Sequence, residues 1–262
     1  MITFNSLKKY KEIAHFCTSR NGGASVGNYA SYNLSPFTGD NPEDISGNRF
    51  RLCKELGIDA DQLIIPFQTH GTEIREIDES FLQLSTLERS QYLQGIDALC
   101  TQLPQLCIGV TTADCVPLLF YDPQKQVIAV AHAGWRGTCS RIAEVTVKSL
   151  VERFDSRPSD ILAVIGPSIS VQMYEVGKEV VNHFETAGFD ITEITIIKNQ
   201  SVYLDLWKAN QQSLEKAGIQ PEHIEVSGIC TYTEHERFFS ARRLGIKSGR
   251  MLSGIMLKRL IG

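Results

Sequence analysis

Three residues able to do chemistry stand where apolar runs of the chain end. Cys115 lies in Thr112-Ala-Asp-Cys-Val-Pro, His132 seventeen positions later in Ala131-His-Ala-Gly-Trp-Arg-Gly, and His70 in Phe67-Gln-Thr-His-Gly. A thiolate and two imidazoles suit a transition metal, because catalytic zinc takes three protein ligands and keeps a fourth position open. A metal held there would bring the pKa of a bound water toward neutrality, giving a nucleophile for an amidine-like carbon. Cys115 and His132, with Asp114 beside them, would equally make a thiol nucleophile and its base, as in a cysteine hydrolase. The third chemistry is copper oxidation. Multicopper clusters need closely spaced histidine pairs, whereas this chain has six histidines and no His-X-His, which leaves at most a single copper. Spacing alone does not choose among these, and a buried thiol with two hydrogen-bonded histidines is the ordinary account of each residue taken singly.

Other side chains could serve the same site. Guanidinium groups match phosphate oxygens with forked hydrogen bonds. Arg20 stands beside Asn21-Gly-Gly-Ala-Ser, Arg49 follows Asn48 on a helix, and Arg136 lies four residues past His132. These three, with Asn48, are the expected phosphate and substrate contacts, Arg136 first among them. Arg242, Arg243 and Arg250 read as a basic surface patch. Asp114 and Glu175 are candidate acid/base groups, although Glu175 could simply be a helix N-terminal charge.

The elements that position these residues follow from pattern. Leu106-Cys-Ile-Gly-Val, Val116-Pro-Leu-Leu-Phe-Tyr and Val127-Ile-Ala-Val-Ala predict strands buried on both faces. Ile13–Cys17, Leu63–Phe67, Thr72–Ile77, Asp97–Thr101 and Val202–Leu206 read as further strands, Asp160–Ser170 as a buried strand ending in a polar loop, and Ile224–Tyr232 as the last strand. One helix is clearly punctuated, from Asn41 as N-cap and Pro42 at the first position to Gly57 as terminator. Helices are also expected over 137–154, 176–187 and 208–217. Residues 81–93 read as a polar helix or lid, and 18–29 as a mobile surface loop. Short turns between several strands require antiparallel pairs, so the expectation is a single mixed-sheet α/β domain over 1–262 rather than a doubly wound one.

Composition narrows the partners. A net charge of −4 argues against a nucleic-acid scaffold. No run approaches membrane-spanning length, and the first residues lack the apolar core of a signal peptide. Seven cysteines without paired spacing predict free thiols and a cytoplasmic location.

An ordered set of motifs carries a family resemblance from about Ser19 to near the C-terminus. It includes Arg20-Asn-Gly-Gly-Ala-Ser, Asn33-Leu, Gly39-Asp-Asn, Asn48-Arg, Gln68-Thr-His-Gly, Asp97-Ala and Thr112-Ala-Asp-Cys-Val-Pro. It continues through His132-Ala-Gly-Trp-Arg-Gly, Gly166-Pro-Ser-Ile, Tyr174-Glu-Val-Gly, Asp205-Leu and Gly249-Arg. The chain thus resembles the laccase-domain (YfiH-like) proteins, often labelled polyphenol oxidases and now grouped as purine nucleoside phosphorylases. The resemblance implies zinc on His70, Cys115 and His132, and mixed sheets packed face to face with helices outside. It also implies phosphorolysis of adenosine, inosine and methylthioadenosine, with adenosine deamination, so that a purine nucleoside and phosphate are the expected partners. The chain departs from the family at Ala241, where an aromatic residue or His is common, and at Ser248, where Thr is usual.

Overall fold

The computed structural model describes residues 1–259, so the last three of the expected 1–262 domain lie outside the described residues. The first strands in chain order are β1 (Ile13–Cys17), β2 (Leu63–Ile64), β3 (Ile74–Glu76), β4 (Ala98–Thr101), β5 (Cys107–Thr112), β6 (Val116–Asp122) and β7 (Val127–Ala133). They are followed by β8 (Leu162–Ile165), β9 (Glu175–Val176), β10 (Thr195–Lys198), β11 (Ser201–Leu204), β12 (Ile224–Val226) and β13 (Met251–Leu257). Three sheets result, ordered β12-β8-β6-β7-β4-β3, β1-β13-β5-β2 and β10-β11-β9. Most neighbours are antiparallel, but β2 with β5, β3 with β4, and β8 with β12 run parallel. The sheets are therefore mixed, as the short turns require.

Alternation along β6 and β7 sets the layers. Val116, Leu118, Phe120, Ala129 and Ala131 face one side, where Ile142, Val147 and Leu150 of the helix Ile142–Phe154 cover them. Leu119, Tyr121, Ile128 and Val130 face the other side, against Ile108, Val110, Met251 and Ile255 of the four-stranded sheet. The two large sheets thus pack face to face with helices outside, the expected arrangement. The far face of the four-stranded sheet is closed by Leu52 and Cys53 of the helix Pro42–Leu56, which touch the cluster of Phe16, Leu252 and Met256. That helix begins and ends as its punctuation predicts: Asn41 accepts a hydrogen bond from the Glu43 N–H, and Gly57 adopts φ 70°.

Several elements differ from expectation, each for a local reason. The helix over 137–154 is two helices, Trp135–Cys139 and Ile142–Phe154, because Arg141 turns the chain at φ 64°. Its guanidinium fixes that bend by stacking on Phe189 and donating to the Ala187 carbonyl. The helix expected from 176 starts at Lys178, since Val176 pairs with Val202 in β9. Residues 81–93 are helical, the first of the two expected alternatives, but as two short helices, Glu79–Gln83 and Thr86–Tyr92, with Phe81 fully buried. The strand over 224–232 ends at Val226, and the last strand is β13, which sequence patterning misses. Ser253 and Gly254 interrupt its apolar run, and Gly254 has to stay small because a Cβ there would sit 2.8 Å from the Phe16 ring. Among the described residues no helix is long and apolar enough to cross a membrane.

Candidate active site

Each of the three reactive side chains is delivered by a different element. Cys115 ends the tight turn between β5 and β6, in which Asp114 takes φ 85°. His132 is the penultimate residue of β7, opposite Pro117 of β6. His70 lies on the connection after β2 at φ 64°, so the apolar run before it is a two-residue strand rather than a long one. Their ligand atoms come within 4.8 Å of one another, and the two imidazole rings stand edge to face at 4.7 Å.

One buried carboxylate, Asp97, organises this cluster. It accepts hydrogen bonds from the backbone N–H groups of Thr69 (3.1 Å), His70 (3.0 Å) and Gly71 (2.7 Å), which fixes the strained His70 loop. Its Oδ1 also lies 2.8 Å from His132 Nδ1. Burial opposes the charge on Asp97, but the His132 bond and charge and the Gly71 and Thr69 N–H groups hold its pKa below the usual value. Burial likewise opposes charge on Cys115 and His132. Their mutual attraction, with His70 at the sulphur and Asp97 at the imidazole, lowers the thiol pKa and raises that of the imidazole. Gly134 closes the back of the cluster. A Cβ on it would stand 2.9 Å from His70 Cδ2 and 3.0 Å from the Cys115 sulphur, so only glycine fits.

The donor set suits one metal ion. Two imidazoles and a thiolate are ligands that zinc or copper accepts. The Asp97 bond to Nδ1 leaves Nε2 of His132 for coordination, the usual carboxylate–histidine arrangement around a metal. The cluster opens on a cleft of about 340 Å³ that is also lined by Phe37, Phe67, Gln68, Thr111, Ile246 and Arg250. Phe37 and Phe67 meet edge to face at 4.9 Å, making an aromatic wall. The Gln68 carboxamide is already paired with the Thr111 backbone through both its oxygen and its nitrogen.

The remaining sequence candidates are not drawn to the cluster. Asp114 is buried, but its carboxylate accepts from Thr231 Oγ1 (2.7 Å), Ser240 Oγ (3.0 Å) and the Arg242 N–H (2.6 Å), which anchors the 231–242 segment beside Cys115. Glu175 is on strand β9 rather than at a helix start, and its carboxylate faces Ser201 and Tyr203 of β11. Asn48 binds Ala24, Ser25, Ser31 and Asn33. With Arg20 donating to the Ala30 and His235 carbonyls, these contacts tie both flanks of the 18–29 loop, which lies at the surface with Asn21, Gly22, Ala24 and 26–28 exposed. Arg49 lines a separate cavity of about 570 Å³ with Pro42, Ile45 and Phe50. Arg136 is exposed and stacked on Trp135, outside the cleft lining. Arg250, expected on a surface patch with Arg242 and Arg243, lines the cleft instead.

Sequence reasoning missed Asp97, Gly134 and Arg250 as site residues. Asp97 carried a local signal, being a lone carboxylate inside the apolar Ile96-Asp-Ala-Leu run, while Gly134 and Arg250 were marked only as members of the motifs His132-Ala-Gly-Trp-Arg-Gly and Gly249-Arg.

Fold and cluster together define a mixed-sheet α/β protein with a three-donor site at the end of its central strands. The chain belongs to the family described as multi-copper polyphenol oxidoreductase laccase, whose pattern matches residues 14–258. It is 44% identical to a purine nucleoside phosphorylase of Bacteroides thetaiotaomicron, over 99% of this chain and 97% of that protein. It is 40% identical to adenosine deaminase RL5 of an unknown prokaryotic organism, over 96% of each chain. The crystal structure of the hypothetical protein YfiH from Bacillus licheniformis superposes with a TM-score of 0.90 at 34% identity, covering 96% of this chain and 95% of that one. The family resemblance carried by the motifs is thereby borne out.

Proposed function

We propose that this chain is a zinc-dependent purine nucleoside enzyme that phosphorolyses adenosine, inosine and methylthioadenosine and also deaminates adenosine. The observation that carries this reading is the cleft of about 340 Å³ whose floor is the His70–Cys115–His132 cluster and whose wall is aromatic. That volume falls in the range of small-molecule sites, and an aromatic wall suits a flat heterocycle. The names of the relatives from Bacteroides thetaiotaomicron and the unknown prokaryote support the same substrate class. Seven free cysteines accord with the expected cytoplasmic location.

His70, Cys115 and His132 are the residues that would hold the metal, which when bound supplies a Lewis acid at the cleft floor. The chain's own part is positional. Asp97 holds the His132 ring and the His70 loop in place, and Gly134 leaves room for the cluster. Phe37 and Phe67 offer the base a stacking surface. In phosphorolysis a phosphate oxygen bonds to C1′ as the C1′–N9 bond breaks; the electron pair leaves with the base, which takes a proton. The products are the free base and ribose 1-phosphate, or its methylthio analogue. In deamination water adds to C6 and ammonia leaves.

Purification without added metal, followed by metal analysis and an adenosine-plus-phosphate assay with and without chelator, tests the reading. About one zinc per chain and chelator-sensitive release of adenine or inosine are expected for a single three-ligand site. Metal without turnover would refute it. A second reading keeps one specific observation on its side: Cys115, His132 and Asp97 stand in the order of a thiol nucleophile, its base and an orienting carboxylate. Alkylation would stop such a hydrolase while a chelator would not.

A further inference from the structure

Phosphorolysis needs a cation to meet its oxyanion, and four of the candidate arginines are engaged elsewhere. Arg20 gives three hydrogen bonds to carbonyls, Arg49 faces another cavity, and Arg136 lies over Trp135 outside the cleft. Arg242 donates to the Glu175 carbonyl and likewise stands outside the cleft. We propose that Arg250 is the residue that holds inorganic phosphate in the cleft, beside His70 and Cys115. This rests on the nucleoside reading above.

Three features of Arg250 carry the assignment. The first is charge. Its guanidinium is half-buried in the cleft lining, and among the described residues it has no carboxylate partner. A partly desolvated cation without a counter-ion is unfavourable until an anion joins it. The second is rigidity. Nη1 donates to the Ser248 carbonyl (2.6 Å), Ser248 Oγ (3.1 Å) and the Gly249 carbonyl (3.0 Å), and Nη2 to the Ile246 carbonyl (2.9 Å). The backbone is also held, its N–H by Asn33 Oδ1 and its carbonyl by the Leu34 N–H. The third is spare capacity. Five donors less these contacts leave Nε–H and one Nη2–H, a pair suited to a forked bond with two phosphate oxygens. Arg250 lines the same cleft as His70, Cys115 and His132, which puts the cation on the cavity that the cluster opens into.

The test uses metal-loaded wild type, Arg250→Lys, Arg250→Met and Arg136→Met, with inorganic phosphate as the probe. Calorimetric titration gives phosphate affinity in the absence of nucleoside, and steady-state kinetics give KM for phosphate and for adenosine separately. Loss of the fork should raise KM for phosphate about tenfold or more in Arg250→Lys, with KM for adenosine changed about twofold at most. Arg250→Met should lose measurable phosphate binding. If that variant fails to fold, because four contacts to residues 246–249 go with it, Arg250→Lys decides alone. Unchanged phosphate affinity in Arg250→Lys, or a rise in phosphate KM confined to Arg136→Met, overturns the assignment. Wild type that binds phosphate through Arg250 but leaves nucleosides intact would instead sink the nucleoside reading while the anion site stood.

Discussion

Replacing Asp97 by Asn keeps the shape of the side chain but removes half of its work. The two carboxylate oxygens accept from four N–H groups: His132 Nδ1 and His70 N on Oδ1, Thr69 N and Gly71 N on Oδ2. An amide has one acceptor oxygen, so whichever way the substituted side chain is turned its NH2 meets two donors. Two hydrogen bonds to a buried charged group are then lost, each worth about 1.5–3 kcal/mol, for a total of about 3–6 kcal/mol. In a chain of this size, where 1 kcal/mol moves Tm by about 2 °C, that corresponds to a fall of roughly 6–12 °C. If the amide turns its NH2 to His132, the imidazole is released and metal affinity should fall about 10- to 100-fold. Differential scanning calorimetry of the metal-depleted protein measures the first quantity without contribution from metal binding, and competition with a chromogenic chelator measures the second. Asp97→Asn with wild-type Tm and wild-type metal affinity would refute the claim that this carboxylate assembles the site.

Three further outcomes follow from other parts of the molecule. Gly134→Ala places a methyl 2.9–3.0 Å from His70 and the Cys115 sulphur; metal content should collapse at a stability cost of about 1–3 kcal/mol, checked by metal analysis beside a thermal melt. Cys115→Ala should abolish both metal binding and nucleoside turnover, and full activity without metal in that variant would end the zinc scheme. Away from the site, burial lowers the pKa of His15 from 6.5 to about 4, and its Nδ1 accepts from the Phe4 N–H. Below pH 6.5 the unfolded chain therefore binds a proton that the folded chain refuses until about pH 4. Stability should fall across that window by at most about 3 kcal/mol as pH drops, and His15→Gln should flatten that limb of a urea-midpoint profile.

The reactive residues were legible because their chemistry is written in residue type. His70, Cys115 and His132 announce themselves as soft ligands at the ends of apolar runs, and the structure brings them within 4.8 Å. The central strands were legible for a similar reason, since a run buried on both faces has no polar alternation to confuse it. The supporting shell was not. Asp97 and His132 are neighbours only because β4 pairs antiparallel with β7, with Ala98 opposite Ala131, and no local pattern encodes that register. Nor does a local pattern tell that the Asp114 carboxylate bonds to Thr231 and Ser240 and that of Glu175 to Ser201, because a carboxylate has the same composition whichever way it faces. Arg250 misled: three arginines within nine residues suggest a solvated patch, yet the start of β13 carries one of them into the cleft.

The family is described by several coppers and an oxidation, its relatives by reactions of nucleosides, and the site can be asked which of these it is built for. Of the six histidines only His70 and His132 meet there. His15 is tied to Phe4, and His183 packs on Trp135. Among the described residues there is one three-donor group, enough for one ion and too few for a copper cluster. The aromatic wall does not separate the two chemistries, since a phenol and a purine would both stack on it. The guanidinium does. Oxidising a neutral phenol gives no use for a rigid cation without a counter-ion in the cleft, and such a group is costly to keep. Phosphate is a dianion that recovers that cost and needs the same forked donors to be held in line with C1′. The placement of Arg250 therefore weighs for the nucleoside chemistry independently of the metal.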